Sequence, residues 1–241
     1  MTRVSVILCC YNDADRVATA LESLEKQTLA RDRYDVIFVD DGSTDDTEHV
    51  ARAFQRRLHL RYVRHPLNRG LPASCNRGLR EASGDYCIRL DADDVFDPTI
   101  LEVMCPPLEA GLADFVYCDR VDYDVQRHES RAVCLEPFNL FHLIAVGTMM
   151  RRDLLQAIGG YRNLFWEEYD LYLRYLLKSS RPPHHIPQPL VTHMIRGDSM
   201  TADRRRVREG WEEFRRRWPR ETLERFGALP SGMDGLPMGV R

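Results

Sequence analysis

The chain has 241 residues, of which 44% are hydrophobic and 29% charged, and its formal net charge is -3 at pH 7. This length is enough to bury one substantial core, and it favours one domain over two. Acidic and basic residues nearly balance, so no overall field attracts nucleic acid or an acidic membrane surface, and we expect no nucleic-acid partner. Ligand specificity must therefore come from local clusters of side chains.

The cysteines and the apolar runs indicate the compartment. The seven cysteines are odd in number, sit mostly in apolar stretches and form no pair of CxxC motifs. This pattern favours buried free thiols in a reducing compartment over a disulfide framework or a structural zinc site. The apolar run near the N-terminus ends at residue 10, far short of the roughly twenty residues that a membrane span needs. We therefore expect a cytoplasmic protein without a transmembrane segment.

The first half of the chain alternates between strand and helix signals. Short apolar runs rich in β-branched residues predict buried strands at residues 4–10, 36–39, 60–63 and 86–90. Apolar positions at helical spacing lie between these runs and predict helices that end near residues 27, 58 and 82. The alternation predicts a doubly wound, mostly parallel α/β sheet with helices on both faces.

The second half is less regular. It predicts strands at residues 114–118, 147–150 and 190–195, helices at 152–158 and 167–177, and a charged excursion at 120–136. We divide the chain into a domain of residues 1–200, with a nucleotide-binding half at 1–97 and an acceptor half at 98–200, and a C-terminal part at 201–241.

The C-terminal part contains an amphipathic pattern. Within residues 202–226, Val207, Trp211, Phe214 and Trp218 lie three or four apart, which predicts a helix with one aromatic face. Packing of this face against the domain is favoured over docking to a partner or a peripheral association with a membrane, because the polar face carries glutamate as well as arginine. Residues 227–241 are predicted to be mobile or draped over the surface.

Polar residues follow three of the predicted strands. Tyr11 follows the first strand, the pair Asp40-Asp41 the second, and the cluster Asp91-Ala92-Asp93-Asp94 the fourth. Because ligands of open α/β sheets bind beyond the carboxyl ends of the strands, these residues are expected to converge on one crevice. Each acidic group has an alternative interpretation as turn or helix-capping chemistry.

The acidic cluster predicts a cation. Asp91, Asp93 and Asp94 would repel one another unless a positive group compensated them. Carboxylate oxygens suit Mg²⁺ or Mn²⁺, which complete their shells with water and diphosphate oxygens. Asp40-Asp41 would instead accept a hydrogen bond from a base, on which Tyr11 could stack. The sequence therefore predicts a metal-bound nucleotide diphosphate at this edge.

The segments VSVILCCYND, VDDGSTDDT, ASCNRGL and RLDADD, in this order and spacing, resemble glycosyltransferase family 2. The resemblance continues through GTMMRRDLLQAIGGYRNLFWEEYDLYLR and covers roughly residues 4–200. It implies a GT-A fold, a nucleotide-diphosphate sugar donor, Mn²⁺ or Mg²⁺, and inversion at the anomeric carbon. A UDP-sugar is the expected donor, since an acidic base pocket with Tyr11 suits a uracil imide, with dTDP- and GDP-sugars as alternatives.

The resemblance also implies roles for single residues. Tyr11 and Asp41 would contact the base, and Asp40 would support that pocket. Asp91 would reach the ribose side, and Asp93 would bind the metal and the diphosphate, with Asp94 sharing the metal. Further residues of the donor side are Cys9, Asn76 and Arg77.

The acidic pair Glu167-Glu168 stands where the family has the catalytic acidic pair, most often Glu-Asp. Glu168 takes the position of the base that removes the proton of the acceptor hydroxyl, with Glu167 as the alternative. Without the resemblance, an acidic pair in the first turn of a helix would be interpreted as an ordinary surface feature.

Two further positions depart from the family pattern. Cys75 stands where an arginine is common, so Arg69 or Arg77 would supply the cation for the phosphates. Arg196 stands three residues before Ser199, where the family has a histidine, and His193 lies three residues earlier. Either Arg196 binds the diphosphate or His193 reaches the metal.

Three functions follow as hypotheses. The first is an inverting transferase that acts on a glycan, lipid-linked or other acceptor. The second is a catalytically idle module that binds nucleotide-sugars and partners another transferase. The third is a sugar-phosphate nucleotidyltransferase, which should carry a glycine-rich loop after the first strand, whereas residues 10–13 contain no glycine.

Overall fold

The computed structural model describes residues 3–198 and 200–230. Its strands are β1 Val4–Cys10, β2 Tyr34–Asp40, β3 Leu60–Arg64, β4 Tyr86–Asp91, β5 Val95–Phe96, β6 Phe115–Asp124, β7 Glu129–Val133, β8 Thr148–Arg151 and β9 His184–Ile195. Its α-helices are α1 Ala14–Glu25, α2 Thr47–Phe54, α3 Leu71–Glu81, α4 Ile100–Glu109, α5 Arg152–Ala157, α6 Glu167–Lys178, α7 Arg204–Arg217 and α8 Arg220–Glu224. Short 3-10 turns lie at Arg31–Arg33, Leu140–His142 and Met200–Ala202.

The strands form one sheet in the order β3-β2-β1-β4-β8-β6-β9-β5, and β7 pairs with β6. The block β3-β2-β1-β4 is wholly parallel, which confirms the predicted doubly wound α/β sheet. In its register Cys10 pairs with Asp40 and Cys9 with Asp91. The carboxyl ends of β1, β2 and β4 therefore meet at one edge.

The second half of the sheet is mixed. β8 lies antiparallel between β4 and β6, and it joins each of them through three residue pairs. β6 and β9 run parallel, and the short strand β5 pairs antiparallel with β9. β8 is therefore the seam between the parallel block and the mixed block.

The prediction of a charged excursion at 120–136 is wrong, because β6 continues to Asp124 and forms an antiparallel hairpin with β7. Its charges are paired within the hairpin: Asp122 accepts hydrogen bonds from Arg120 at 2.8 Å and from Arg131 at 3.0 Å. β9 begins six residues before the predicted position, at His184 rather than at residue 190. Pro187 and Pro189 interrupt its apolar pattern, and the register against β6 shifts beside Asp119.

Two cores lie on the two faces of the sheet, and β1 contributes to both. Val4, Val6 and Leu8 point to one face, where they pack under α1, α2 and α4, and Ile7 and Cys9 point to the other. The second core holds the aromatic residues of α6 and α7. This alternation is what a strand buried on both sides requires.

The C-terminal region forms two helices where the sequence predicts one at 202–226, and α8 begins directly after Pro219. Trp211 of α7 stacks on Phe214 with ring centroids 5.2 Å apart and meets Trp166 edge-on at 6.4 Å. The aromatic face of α7 is thus packed on the domain. Ser199 and residues 231–241, most of the predicted mobile tail, lie outside the described residues. Within the described ranges, no helix is long and apolar enough to cross a bilayer.

Candidate functional site

A cavity of about 500 Å³ lies at the edge where β1, β2 and β4 end. Residues from these strands and the turns after them form its floor. Its walls include Asn68, Gly70, Leu71 and Ser74, and also residues 144–146, 193–194 and 200–201. The cavity is therefore assembled from segments that are distant in sequence, as the sheet topology predicts.

The predicted site residues divide into two groups. Those that line the cavity are Cys9, Tyr11, Asp41, Asp91, Asp93, Asp94 and His193. Those that do not line it are Asp40, Asn76, Arg77, Glu167, Glu168 and Arg196. Tyr11 is 48% exposed, so its ring is free to receive a ligand.

Asp41 organises the loop that closes one side of the cavity. Its Oδ1 accepts hydrogen bonds from His65 Nδ1 at 2.8 Å and from the backbone N–H of Arg69 at 3.0 Å, and its Oδ2 accepts one from the N–H of Gly70 at 2.8 Å. Gly42 makes the close approach of this loop feasible. Its φ is +79°, and a Cβ there would lie 2.7 Å from the carbonyl carbon of Leu67.

Asp40 lies beneath the cavity and is completely buried. It accepts hydrogen bonds from the backbone N–H of Ser43 at 2.7 Å and from the Tyr62 hydroxyl. These contacts fix the turn after β2 from below. Asp40 is thus positioned to support the pocket rather than to touch a ligand in it.

Burial and mutual repulsion raise the pKa values of two carboxyl groups in the acidic cluster. Burial raises the pKa of Asp94 to about 7, and Asp91 and Asp93 add to that rise while His193 opposes it. Burial and the neighbouring Asp91 also raise the pKa of Asp93. Raised carboxylate pKa values at one edge of a cavity indicate that a cation would be bound favourably there.

His193 and Asp94 face each other across this cluster. Asp94 accepts a hydrogen bond from the N–H of Met194 at 2.9 Å, and His193 Nδ1 lies 3.2 Å from Asp122 Oδ1. Burial by itself would lower the pKa of His193, but Asp122 and Asp94 raise it overall. The described residues contain no group of three side chains arranged to hold a metal by themselves. Asp93 and Asp94 instead offer the one or two carboxylates that Mg²⁺ or Mn²⁺ takes when phosphate and water complete the shell.

Sequence reasoning missed Arg89, which is 6% exposed and lies on the floor of the cavity. Its Nε and Nη2 donate to the two oxygens of Asp91, at 2.6 and 3.0 Å. Its Nη1 donates to Glu167 Oε1 at 3.0 Å. An arginine in the middle of a buried strand is rare unless it is paired, and this was the signal that could have found it.

Glu167 and Glu168 occupy the first turn of α6, behind Arg89. Burial raises the pKa of Glu167 although Arg89 pulls it down. Burial and the adjacent Glu167 raise the pKa of Glu168 well above its ordinary value. Glu168 is half-buried, and a carboxylate with a raised pKa is suited to accept a proton near neutral pH.

Of the three cationic or amide candidates, two are bound to other partners. Asn76 exchanges two hydrogen bonds of 2.8 Å with the backbone of Tyr161. Arg77 pairs with Glu81 at 3.0 Å. Arg196 lies just outside the cavity with its Nε 3.9 Å from Asp93 Oδ2, and among the described residues that buried Nε has no hydrogen-bond partner. Of the three, only Arg196 is near the acidic cluster.

The two cysteines of the site are adjacent. The thiol of Cys9 lies 3.8 Å from that of Cys75, and both side chains are buried. The hydrogen bond to Cys75 and burial raise the pKa of Cys9 well above its ordinary value. Cys75, at the position where an arginine was expected, does not line the cavity.

The sequence model described as Glycosyl transferase family 2 matches residues 5–159, and the chain belongs to this family. The cholesterol galactosyltransferase of Borreliella burgdorferi is 35% identical over 114 residues, which are 47% of this chain and 31% of that protein. The alignment thus spans about a third of the relative.

Solved structures share the fold. Residues 1–349 of S. aureus TarS, in complex with UDP-GlcNAc, superpose with a TM-score of 0.74 at 19% identity, covering 83% of this chain and 61% of that one. The mannosyltransferase PcManGT from Pyrobaculum calidifontis, in complex with GDP-Man and Mn²⁺, gives a TM-score of 0.71 at 19% identity, covering 87% and 62%. These superpositions confirm the GT-A fold that the sequence resemblance implied.

Proposed function

We propose that this protein transfers a sugar from a UDP-sugar to a hydroxyl of a glycan, lipid-linked or other acceptor, with inversion and with the help of Mn²⁺ or Mg²⁺. The observation that carries the proposal is that one cavity brings together an exposed aromatic ring, a hydrogen-bonding carboxylate and the acidic cluster Asp91-Asp93-Asp94. Membership of glycosyltransferase family 2 supports the reaction class.

In this proposal the nucleoside occupies the side of the cavity formed by Tyr11 and Asp41. The ring of Tyr11 stacks on the base, and Asp41 accepts its imide N–H while holding the loop 68–71. Asp91, fixed by Arg89, contacts the ribose. The complexes of TarS with UDP-GlcNAc and of PcManGT with GDP-Man support a nucleotide-sugar donor, with uracil preferred here.

Asp93 and Asp94 are the residues that would hold a divalent cation beside the diphosphate, and His193 is the alternative ligand from the other side of the cluster. A bound cation would supply positive charge against the departing diphosphate. The Mn²⁺ in the PcManGT complex supports a divalent metal. Arg196, whose buried Nε has no hydrogen-bond partner in the described part of the chain, would bind a diphosphate oxygen.

Transfer requires a base on the acceptor side. The oxygen of the acceptor hydroxyl forms a bond to the anomeric carbon, the bond from that carbon to the diphosphate oxygen breaks, and Glu168 takes the hydroxyl proton. The raised pKa of Glu168 suits this role. We further propose a cytoplasmic location, which the seven free cysteines support.

Calorimetric titration of the protein with UDP in the presence and absence of Mn²⁺ tests the donor site. Asp93→Asn should abolish the metal-dependent part of UDP binding, because it removes a ligand charge where a diphosphate must be neutralised. The matched control is Asp15→Asn, a change at an exposed aspartate in the first turn of α1. Equal affinity of Asp93→Asn and the wild-type protein would refute the metal assignment.

A donor screen then tests turnover. Hydrolysis and transfer are measured with UDP-, dTDP- and GDP-sugars, and release of nucleotide from a UDP-sugar is the expected result. Nucleotide binding without turnover of any donor would instead support the idle binding module.

A further inference from the structure

Arg89 stands between the donor side and the acceptor side of the cavity. Its guanidinium donates two hydrogen bonds to Asp91, at the end of its own strand, and one to Glu167, in the first turn of α6. The side chain is 6% exposed, and its strand is paired on both sides, with Arg89 opposite Ile7 of β1. It is therefore a buried cation on a rigid element with one partner on each side.

The contact between Arg89 and Glu167 makes the two residues of the acidic pair Glu167-Glu168 different from each other. Asp91, Glu167 and Glu168 bring three carboxyl groups to one guanidinium. Asp91 occupies Nε and Nη2, and Glu167 occupies Nη1. Two of the three carboxylates thus have a fixed partner, and Glu168 is the one that the guanidinium does not bind.

We propose, on the basis of the function proposed above, that Arg89 is a positioning residue that couples the ribose-side carboxylate Asp91 to helix α6. By engaging Glu167 it leaves Glu168 as the carboxylate that reacts. Glu167 is then the anchor of the helix and not the base.

Helix α6 transmits this position to the wall of the cavity. The Tyr172 hydroxyl lies 3.1 Å from the carbonyl oxygen of Ile144 and 3.2 Å from that of Ala145, two residues that line the cavity. The Tyr169 hydroxyl donates to the carbonyl of Leu143 at 3.3 Å. A shift in the first turn of α6 would therefore move the proposed base and this wall together.

The geometry requires arginine. A guanidinium presents donors in a planar fork, so it can bind Asp91 through two of them and still reach Glu167 through the third. A lysine ammonium is a compact charge on a flexible stem, and it would keep the positive charge but hold only one of the two partners in place. Arg89→Lys therefore keeps the positive charge but loses the simultaneous contacts to Asp91 and Glu167, so it tests the positioning role apart from the charge.

The first arm of the experiment measures kcat and KM of Arg89→Lys for the donor. We expect kcat to fall about 100-fold, the cost of a displacement of roughly 1 Å in a catalytic group, while KM for the UDP-sugar changes less than tenfold. The control is Arg174→Lys, since Arg174 is also buried and pairs with Asp170 at 2.7 Å, on the part of α6 away from the cavity. A wild-type kcat in Arg89→Lys, or equal losses in both variants, would overturn the proposal.

The second arm does not depend on turnover. UDP affinity in the presence of Mn²⁺ is measured for the wild-type protein, Arg89→Lys, Glu167→Gln and the double variant. Glu167 does not line the cavity, so we expect Glu167→Gln to weaken UDP binding severalfold only when Arg89 is present to transmit the change. If Glu167→Gln weakens UDP binding equally in the wild-type protein and in Arg89→Lys, Arg89 does not couple Glu167 to the nucleotide side. If UDP binds with this coupling but no donor turns over, the proposed transfer fails and the positioning role stands.

Where Arg89→Lys does not fold, Arg89→Gln together with Glu167→Gln provides a second test, because the pair is then neutral and the buried charge mismatch is reduced. Binding of UDP with wild-type affinity by this double variant would refute the role of Arg89 in holding Asp91. A loss of affinity with a folded, cooperative melting transition would support it.

Discussion

Replacing Asp41 with asparagine tests whether this carboxylate organises the loop 68–71. Its two oxygens accept three hydrogen bonds, from His65, Arg69 and Gly70. An amide has one accepting oxygen, so its NH₂ group must face at least one of these donors. One charge-assisted bond is then lost with a buried donor unpaired, and the others become neutral.

The size of the effect follows from these contacts. Losing a hydrogen bond to a charged acceptor costs about 2 kcal/mol, and the weakening of the remaining hydrogen bonds adds about 1 kcal/mol. We therefore expect the free energy of unfolding to fall by about 3 kcal/mol. For a chain of this size that corresponds to a fall in Tm of roughly 6–12 °C. UDP affinity should fall as well, because Asn68 and Gly70 line the cavity.

Thermal unfolding followed by circular dichroism, together with UDP titration, measures both effects. The matched control is Asp46→Asn in the turn between β2 and α2 that also contains Asp41, since Asp46 is exposed and its side chain forms no capping hydrogen bond. A Tm within about 2 °C of wild type would refute the loop-organising role. Loss of UDP affinity at an unchanged Tm would mean that the carboxylate serves the ligand alone.

Glu168→Gln should abolish transfer yet raise Tm by about 2–4 °C, the shift that corresponds to roughly 1 kcal/mol. The pKa of Glu168 is raised in the folded protein, so its ionised form opposes folding. The gain in Tm of the variant over the wild-type protein should therefore be larger at pH 8 than at pH 5, and a gain that is smaller at pH 8 would contradict this. Glu167→Gln should move the acidic limb of the pH profile of kcat/KM to lower pH, because the carboxylate of Glu167, which raises the pKa of Glu168, is removed. A shift of that limb to higher pH would refute the coupling between the two residues. Gly42→Ala should lower the free energy of unfolding, measured by urea denaturation, by about 2 kcal/mol or more. Its φ of +79° and the 2.7 Å approach to Leu67 leave no space for a methyl group, and wild-type stability of the variant would contradict this packing.

The parallel half of the fold was predictable because its strands are buried on both faces. β1, β2 and β4 read as continuous apolar runs, and their ends carry the polar residues of the site. Since parallel strands end at the same edge, the convergence of Tyr11, Asp41 and the acidic cluster on one cavity follows from the sequence.

The mixed half was less predictable because its signals depend on residues distant in sequence. The charged positions of β6 look like a loop until Arg131 of β7 is opposite Asp122. A family resemblance also does not say which partner a helical side chain chooses: it implied Asn76 and Arg77 as donor-side residues, and in the structure they bind Tyr161 and Glu81. Arg89 was missed for the same reason, because its two acidic partners lie on different elements.

The narrow seam formed by β8 has a consequence for how such a protein can diversify. Three residue pairs on each side of this strand connect the block β3-β2-β1-β4 to the block that holds β6, β7 and β9, and the two residues of β5 add a second connection by pairing with β9. Insertions or exchanges beyond the seam need not disturb the register of β1, β2 and β4. Chimeras cut within β8 would therefore keep Tyr11, Asp41 and Asp91 in place, whereas His193 and Met194, which line the same cavity from beyond the seam, would change with the exchanged part.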